Sequence, residues 1–199
     1  MMRSLWIACC LVSCGAAAAA SAQSWPAKPV RIIVPYPPGG VADITARIYS
    51  PKLSESWAQA ALIDNRPGAN GAIGAELAAK SIPDGYTLLM ATASEATINP
   101  TFYPKLGYDT LRDFAPIALA SHNPVVLVVN AGAPFRTLAE VVAAAKAKPA
   151  TLAYATPGSG SLHHLSMELL RMLGGPTLIH VPYKGGGPAA AAVVGGETP

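Results

Sequence analysis

The residues of this chain with chemistry to offer are mostly backbone amides. In residues 30–47, VRIIVPYPPGGVADITAR, an apolar run suited to a strand covered on both faces meets Pro37, Pro38, Gly39 and Gly40. A helical pattern follows through Ala42, Ile44, Ala46 and Ile48. A helix that starts at such a turn leaves its first N–H groups without partners inside the helix. They lie beyond the carboxyl end of the strand, where open α/β sheets place ligands, and the summed peptide dipoles favour negative charge there. The chemistry implied is capture of a small anion, most simply a carboxylate. A second turn of this kind, TPGSGS at residues 156–161, opens another helical pattern, and YKGGG at residues 183–187 is a further glycine turn.

Side chains beside these turns each admit two readings. Asp43 stands in the first turn of its helix, where a carboxylate is favourable as a cap alone. Toward a ligand it cannot attract a carboxylate; it can orient water or accept a hydrogen bond from an amino or hydroxyl group. Ser159 and Ser161 can cap the helix that begins at Leu162, and capping is compatible with binding. His163 and His164 are adjacent and point about 100° apart on a helix, so both cannot easily face one small ligand. Lys184 has the sign to meet a carboxylate and equally reads as a solvated lysine. Catalytic patterns are missing: the sequence has no G-x-S-x-G elbow, no H-E-x-x-H and no Walker motif. That argues against the alternative of a secreted serine hydrolase and for a protein that binds without reacting.

Composition narrows the class. Lys and Arg number 14 against 11 Asp and Glu, with no basic run or basic-aromatic stripe, so nucleic acid is not an expected partner. Residues 1–22 read as a secretory signal peptide: Arg3, an apolar core at 5–12, and the small residues Ala20, Ser21 and Ala22 before a mature start at Gln23. The alternative is a lipoprotein box, LVSCG, anchoring the chain at Cys14. Cys9, Cys10 and Cys14 are the only cysteines. Cleavage after Ala22 removes them all, which leaves no disulfide, thiol nucleophile or thiolate metal site, and no cofactor is expected. No second long apolar segment follows, so no transmembrane helix is expected.

The elements that must position the turns follow in order. Strands are expected at 60–64 and 86–92, with a small-residue helix at 72–80 between them and a possible helix start at 93–97. Residues 100–113 read as turn-like. Two apolar runs, 114–120 and 125–130, read as strands, the second as a central one. Thr137 and Glu140 form a capping-box pattern for a helix over 138–148. A strand at 152–155 precedes a helix over 162–173 with Leu165, Leu169, Leu170 and Leu173 on a core stripe. A strand at 178–182 and a helix from 189 complete the pattern. Pro51 falls inside an otherwise helical stretch and predicts a break near Ser50, or a new helix with Pro51 in its first turn. Strands alternating with helices predict parallel α/β sheets. The change of character near residues 122–124 predicts two lobes with a ligand between them.

Five segments in order, PYPPGGVADITAR (35–47), NRPGANGAIGAELAAKSIPDGYTLL (65–89), PIALASHNPVVLVVN (116–130), YATPGSGSLHHLSMELL (154–170) and HVPYKGGGPA (180–189), resemble the Bug family. These are periplasmic solute-binding receptors of tripartite tricarboxylate transporters. The resemblance implies a two-lobed, type II-like Venus-flytrap fold that closes on a small organic carboxylate. It implies a monomer that delivers its ligand to membrane permease subunits in the periplasm. A ligand-sensing subunit of a signalling system is the alternative that would use the same site. Carried over residue by residue, the resemblance implies ligand contacts in lobe one (23–123) from Tyr36, Pro38, Gly39, Gly40, Asp43, Ala93 and Ser94. In lobe two (124–199) it implies Thr156, Gly158, Ser159, Gly160, Ser161, His164 and Tyr183. Two departures stand out. Pro51 interrupts a helix the family keeps intact, and family members continue well past the position of Gly195 and Gly196. The chain is therefore expected to be incomplete at its C-terminus.

Overall fold

Strand β1 (Val30–Val34) is the centre of the larger sheet because it is apolar on both faces: Val30, Ile32, Ile33 and Val34 are all buried. It lies between β2 (Ala61–Asn65) and β3 (Thr87–Leu89), parallel to both, with Ile32 opposite Ile63 on one side and Leu88 on the other. This is a computed structural model, and it describes residues 25–199; the expected signal peptide, its cleavage site and Cys14 lie outside the described residues. Helix α1 (Val41–Trp57) crosses back over the sheet, setting Ala42 and Ala46 against Ile32, Val34 and Ala61. Small residues there let helix and sheet approach closely, and Leu53 and Trp57 close the far end of the contact.

The opposite face carries a 3-10 turn (Ala69–Gly71) and α2 (Ala72–Ala79). Gly74 makes that packing possible, since a Cβ there would lie 2.8 Å from both Pro35 Cα and the Arg66 carbonyl oxygen. After β3 the chain forms a π-helical turn (Ser94–Ile98) and two single-turn helices, α3 (Asn99–Phe102) and α4 (Thr110–Asp113). A second parallel sheet pairs β4 (Ala153–Thr156) with β5 (Ile179–Pro182). Helices α5 (Leu138–Ala147), α6 (Leu162–Met172) and α7 (Gly186–Val194) accompany it. The Thr137–Glu140 capping box forms as the sequence predicts.

Four expectations are corrected. Helix α1 runs through Pro51 without a break. Pro51 is exposed, so water can meet the Arg47 carbonyl that its ring leaves without a donor, and the Ser54 hydroxyl donates to the Ser50 carbonyl at 2.8 Å. Residues 100–113, expected as turns, include α3 and α4, the latter capped by Asp109, which accepts from the Leu111 and Arg112 amides. The runs at 114–120 and 125–130 are not strands: residues 114–130 carry no regular structure, and Val126 is 68% exposed. β4 pairs only with β5, and residues 125–129 instead line an apolar cavity of about 270 Å³ with Val141, Leu152 and Leu170. The leucine stripe of α6 is also not core among the described residues: Leu165, Leu169 and Leu173 are 37%, 55% and 78% exposed, and only Leu170 is half-buried, against the cavity.

Gly74→Ala tests the sheet–helix contact. A helix-interior alanine gains about 1 kcal/mol over glycine, but a methyl pressed on two backbone segments costs about 1–3 kcal/mol. The expected outcome is a net loss of up to about 2 kcal/mol in urea unfolding, not a gain.

Candidate functional site

The first turn is built from its own side chains. Tyr36 is half-buried, Pro38 and Gly39 are exposed, and Gly40 is the N-cap of α1 with no side-chain cap bond. Asp43 supplies what a cap would. Its Oδ2 accepts from the Gly39 amide and from Arg47 Nε, both at 2.9 Å, and its Oδ1 accepts from Asn65 Nδ2 at 2.9 Å. Asn65 Nδ2 also donates to the Tyr36 carbonyl at 3.0 Å. Asp43 is only 2% exposed. Burial works against its charge, but the hydrogen bonds from Arg47, Gly39 and Asn65 prevail and hold the carboxyl below its ordinary range. Asp43 therefore faces the turn it organises. The amides of Gly40, Val41 and Ala42 have no acceptor among the described residues.

The loop after β3 is tied to this turn. Tyr36 Oη lies 3.2 Å from Thr92 Oγ1, which also accepts from the Ser94 amide at 3.1 Å. Ser94 is buried and Ala93 exposed.

The second turn follows β4. Thr156 is buried, with Oγ1 2.6 Å from His180 Nε2, and it accepts from the Gly158 amide at 3.3 Å. Ser161 caps α6 by accepting from the His164 amide at 3.3 Å. The His164 ring turns back on the loop: its Nδ1 accepts from the Gly160 amide at 3.2 Å. That bond requires an unprotonated Nδ1. The same ring stacks on His180 with centroids 4.1 Å apart, and His180 stacks in turn on Tyr154 at 5.0 Å. Burial, then the neighbouring His164, push the His180 imidazole below its usual range. Ser159 is exposed at the tip. Tyr183 donates its hydroxyl to Glu197 at 3.0 Å, so that group is already engaged.

The turns meet. A Cβ on Gly186 would lie 3.9 Å from Gly40 Cα, and one on Gly187 would lie 3.5 Å from the Pro38 carbonyl oxygen. Gly158 packs near the Tyr183 carbonyl, and Gly160 lies against the Phe102 ring. The structure thus gathers the 37–40, 158–161 and 183–187 turns, with the N-terminus of α1 abutting that of α7. The YKGGG run marks Gly185, Gly186 and Gly187 as a turn, but no local signal places them against the first turn, as the fold does. Asn65 and His180 come behind the turns only in the folded chain, whereas the i,i+4 spacing of Asp43 and Arg47 on one helix was a local signal for Arg47. The 270 Å³ cavity reaches the second turn only at Tyr154 and Thr156, and the rest of its lining is mostly apolar. Among the described residues no cluster of three or more His, Cys, Asp or Glu could hold a metal ion, and no helix is long and apolar enough to cross a membrane.

A family model described as "Tripartite tricarboxylate transporter family receptor" matches residues 45–199. Protein BugT of Bordetella pertussis is 38% identical over 187 residues, covering 94% of this chain and 57% of BugT. A UPF0065 protein of a Pseudomonas species is 41% identical over 175 residues, covering 88% of this chain and 52% of that one. The chain thus spans about half the length of the curated relatives it matches. Among solved structures, a Rhodopseudomonas palustris protein described "with adipate" superposes with TM-score 0.85 at 35% identity, covering 87% of this chain and 58% of that one. MatC from the same organism, described with bound malate, gives 0.79 at 31% identity, covering 87% and 59%. The periplasmic binding protein BugD gives 0.75 at 29% identity, covering 87% and 58%. The fold is that of the periplasmic binding proteins.

Asp43→Asn tests how the first turn is held. The substituted amide meets two donors, the Gly39 N–H and Arg47 Nε, with a donor of its own, and the expected loss is about 1–3 kcal/mol at neutral pH. Because the Asp43 pKa is depressed on folding, its contribution is full above about pH 3.9 and fades as pH falls through the folded value. Urea unfolding followed from pH 7 downward should show that acid loss in the parent and a shallower one in the variant.

Proposed function

The chain belongs to the tripartite tricarboxylate transporter receptor family, and from that membership and the meeting of its glycine turns we propose that it is a non-catalytic receptor for a small organic carboxylate. The observation that carries the reading is the abutment of two helix N-termini, where unpaired amides of both favour negative charge. Gly39, Gly40 and the first amides of α1 form one side of the cradle. Ser159, Gly186 and Gly187 form the other. Tyr36, Pro38, Ala93 and Ser94 shape the first side, and Thr156, Gly158, Gly160, Ser161 and His164 the second. Asp43 and Tyr183 act behind the cradle, holding its turns. The adipate and malate of the solved neighbours support a dicarboxylate as the first ligand to try.

In this reading residues 23–123 form one lobe and 124–199 belong to the other. Closure is stabilised by contacts a ligand makes only when both lobes reach it. The receptor works in the periplasm, reached through its N-terminal signal, as a monomer that hands its ligand to membrane permease subunits.

Calorimetric titration with mono-, di- and tricarboxylates, adipate and malate among them, tests the proposal. Saturable binding of at least one is expected, and silence across the whole set counts against it. Gly185→Ala tests the contact between the lobes. Gly185 has φ 114°, and a Cβ there would lie 2.8 Å from Pro37 Cδ. The variant should bind at least about tenfold more weakly with its circular dichroism unchanged. Parental affinity in that variant would remove the lobe contact from the mechanism.

A further inference from the structure

Glu95 is a carboxyl that the cradle does not touch and the fold does not expose. It sits in the π-helical turn and is 1% exposed. Its Oε2 accepts from the Thr92 amide at 2.7 Å and from the Thr92 hydroxyl at 2.8 Å. Its backbone carbonyl accepts from the Tyr108 hydroxyl at 2.8 Å. Its Oε1 finds no partner. Gly71 is what leaves room for it, since a Cβ on Gly71 would fall on the Glu95 carboxyl. The neighbouring Asn70 Oδ1 is likewise buried with no partner, while Asn70 Nδ2 donates to Asn99 Oδ1 at 3.1 Å. The junction of the 69–71 and 94–98 turns therefore holds two buried acceptors and no donor for either. Leaving such groups unmet is costly.

We propose that Glu95 is a positioning residue of the first turn: its buried carboxyl carries a proton in the folded chain and, through Thr92, fixes Tyr36 and so the 37–40 turn. The proton, taken from solvent as the chain folds, converts one orphan acceptor into a donor. The other oxygen keeps both Thr92 bonds. Thr92 Oγ1, its own proton given to Glu95, is left to accept from the Tyr36 hydroxyl. Tyr36 opens the turn whose amides form the cradle.

The titratable groups facing Glu95 are Tyr36 and Tyr108, both neutral at ordinary pH, and no cation is among its partners in the described residues. Burial raises the Glu95 carboxyl, and the nearby Tyr36 hydroxyl and the Thr92 hydrogen bonds offset this only in part. Burial likewise raises the Tyr36 phenol, with Glu95 adding to it. A raised folded pKa gives stability that is full below the unfolded value, about 4.3, and lost as pH rises through the folded one.

The test uses the chain with Glu95→Gln, which copies the neutral carboxyl with a donor and an acceptor, and Glu95→Ala. Melting temperature is read from pH 5 to pH 9, and amide hydrogen exchange is read across residues 37–43, both without ligand. The parent should lose melting temperature as pH rises. The Gln variant should match the parent at pH 5, flatten the slope, and keep parental exchange, while Ala should speed exchange at the turn by at least about tenfold. A parental pH slope in Gln, a large loss in Gln at pH 5, or parental exchange in Ala would each overturn the proposal. Malate and adipate titrations extend it, resting on the receptor reading: affinity should fall in Ala and return in Gln. A parent that binds neither probe speaks against the receptor, while exchange and the pH slope still decide Glu95.

Discussion

Two helix N-termini held against each other govern this molecule. Each carries roughly half a positive charge. At a separation of about 5 Å and an effective dielectric of about 20, they repel by on the order of 1 kcal/mol. One carboxylate about 4 Å from both gains about 4 kcal/mol under the same assumptions. In the proposed reading, the chain brings together two ends whose mutual repulsion a bound carboxylate offsets. Gly185 allows the approach, because a Cβ there would press on Pro37 Cδ at 2.8 Å, while Gly40, Gly186 and Gly187 face one another at ordinary contact distance.

Backbone amides are poor recognition groups unless something fixes their direction, and the protein spends buried polar side chains on that. Asp43 takes the Gly39 amide and is held from behind by Arg47 and Asn65. Thr92 and Glu95 hold Tyr36 from the other side. In the second sheet Thr156, His164 and His180 do the same work for the 158–161 turn. Such networks are worth most when every member is satisfied, since a low local dielectric strengthens made bonds and penalises unmade ones alike. A second row of polar groups behind each turn fixes the direction of its amides.

How much of this was legible in the sequence follows from range. The β1–turn–α1 unit was readable because its signals are local: a doubly apolar strand, a Pro/Gly stop and a small-residue helix. The capping box at Thr137 was readable for the same reason. The run at 125–130 was misread because hydrophobicity reports a wish for burial and not a ladder partner. The leucines of α6 failed likewise: the stripe is real, but exposure depends on what packs over it. Pro51 was overweighted, since a proline costs less where solvent can meet the carbonyl it strands. Asp43 was open to two readings until Asn65, 22 residues away in sequence, was placed on its second oxygen. Glu95 gave no signal at all, because a lone glutamate among Ala, Ser and Thr reads as a surface residue.

The two sheets are unequal, and this bears on how binding and folding are linked. The first has three strands and a buried central one, with α1 packed across it. The second has two strands, and apolar residues beside it at 126, 165, 169 and 173 remain exposed. The contacts of Gly185 with Pro37 and of Gly160 with Phe102 join the two units as well as shaping the proposed cradle. An anion that bridges the turns strengthens the same contacts, so its binding free energy is also stabilisation of the second sheet, growing with concentration as mass action requires. Recognition and consolidation of the fold then draw on one set of glycine contacts, and loosening any of them weakens both.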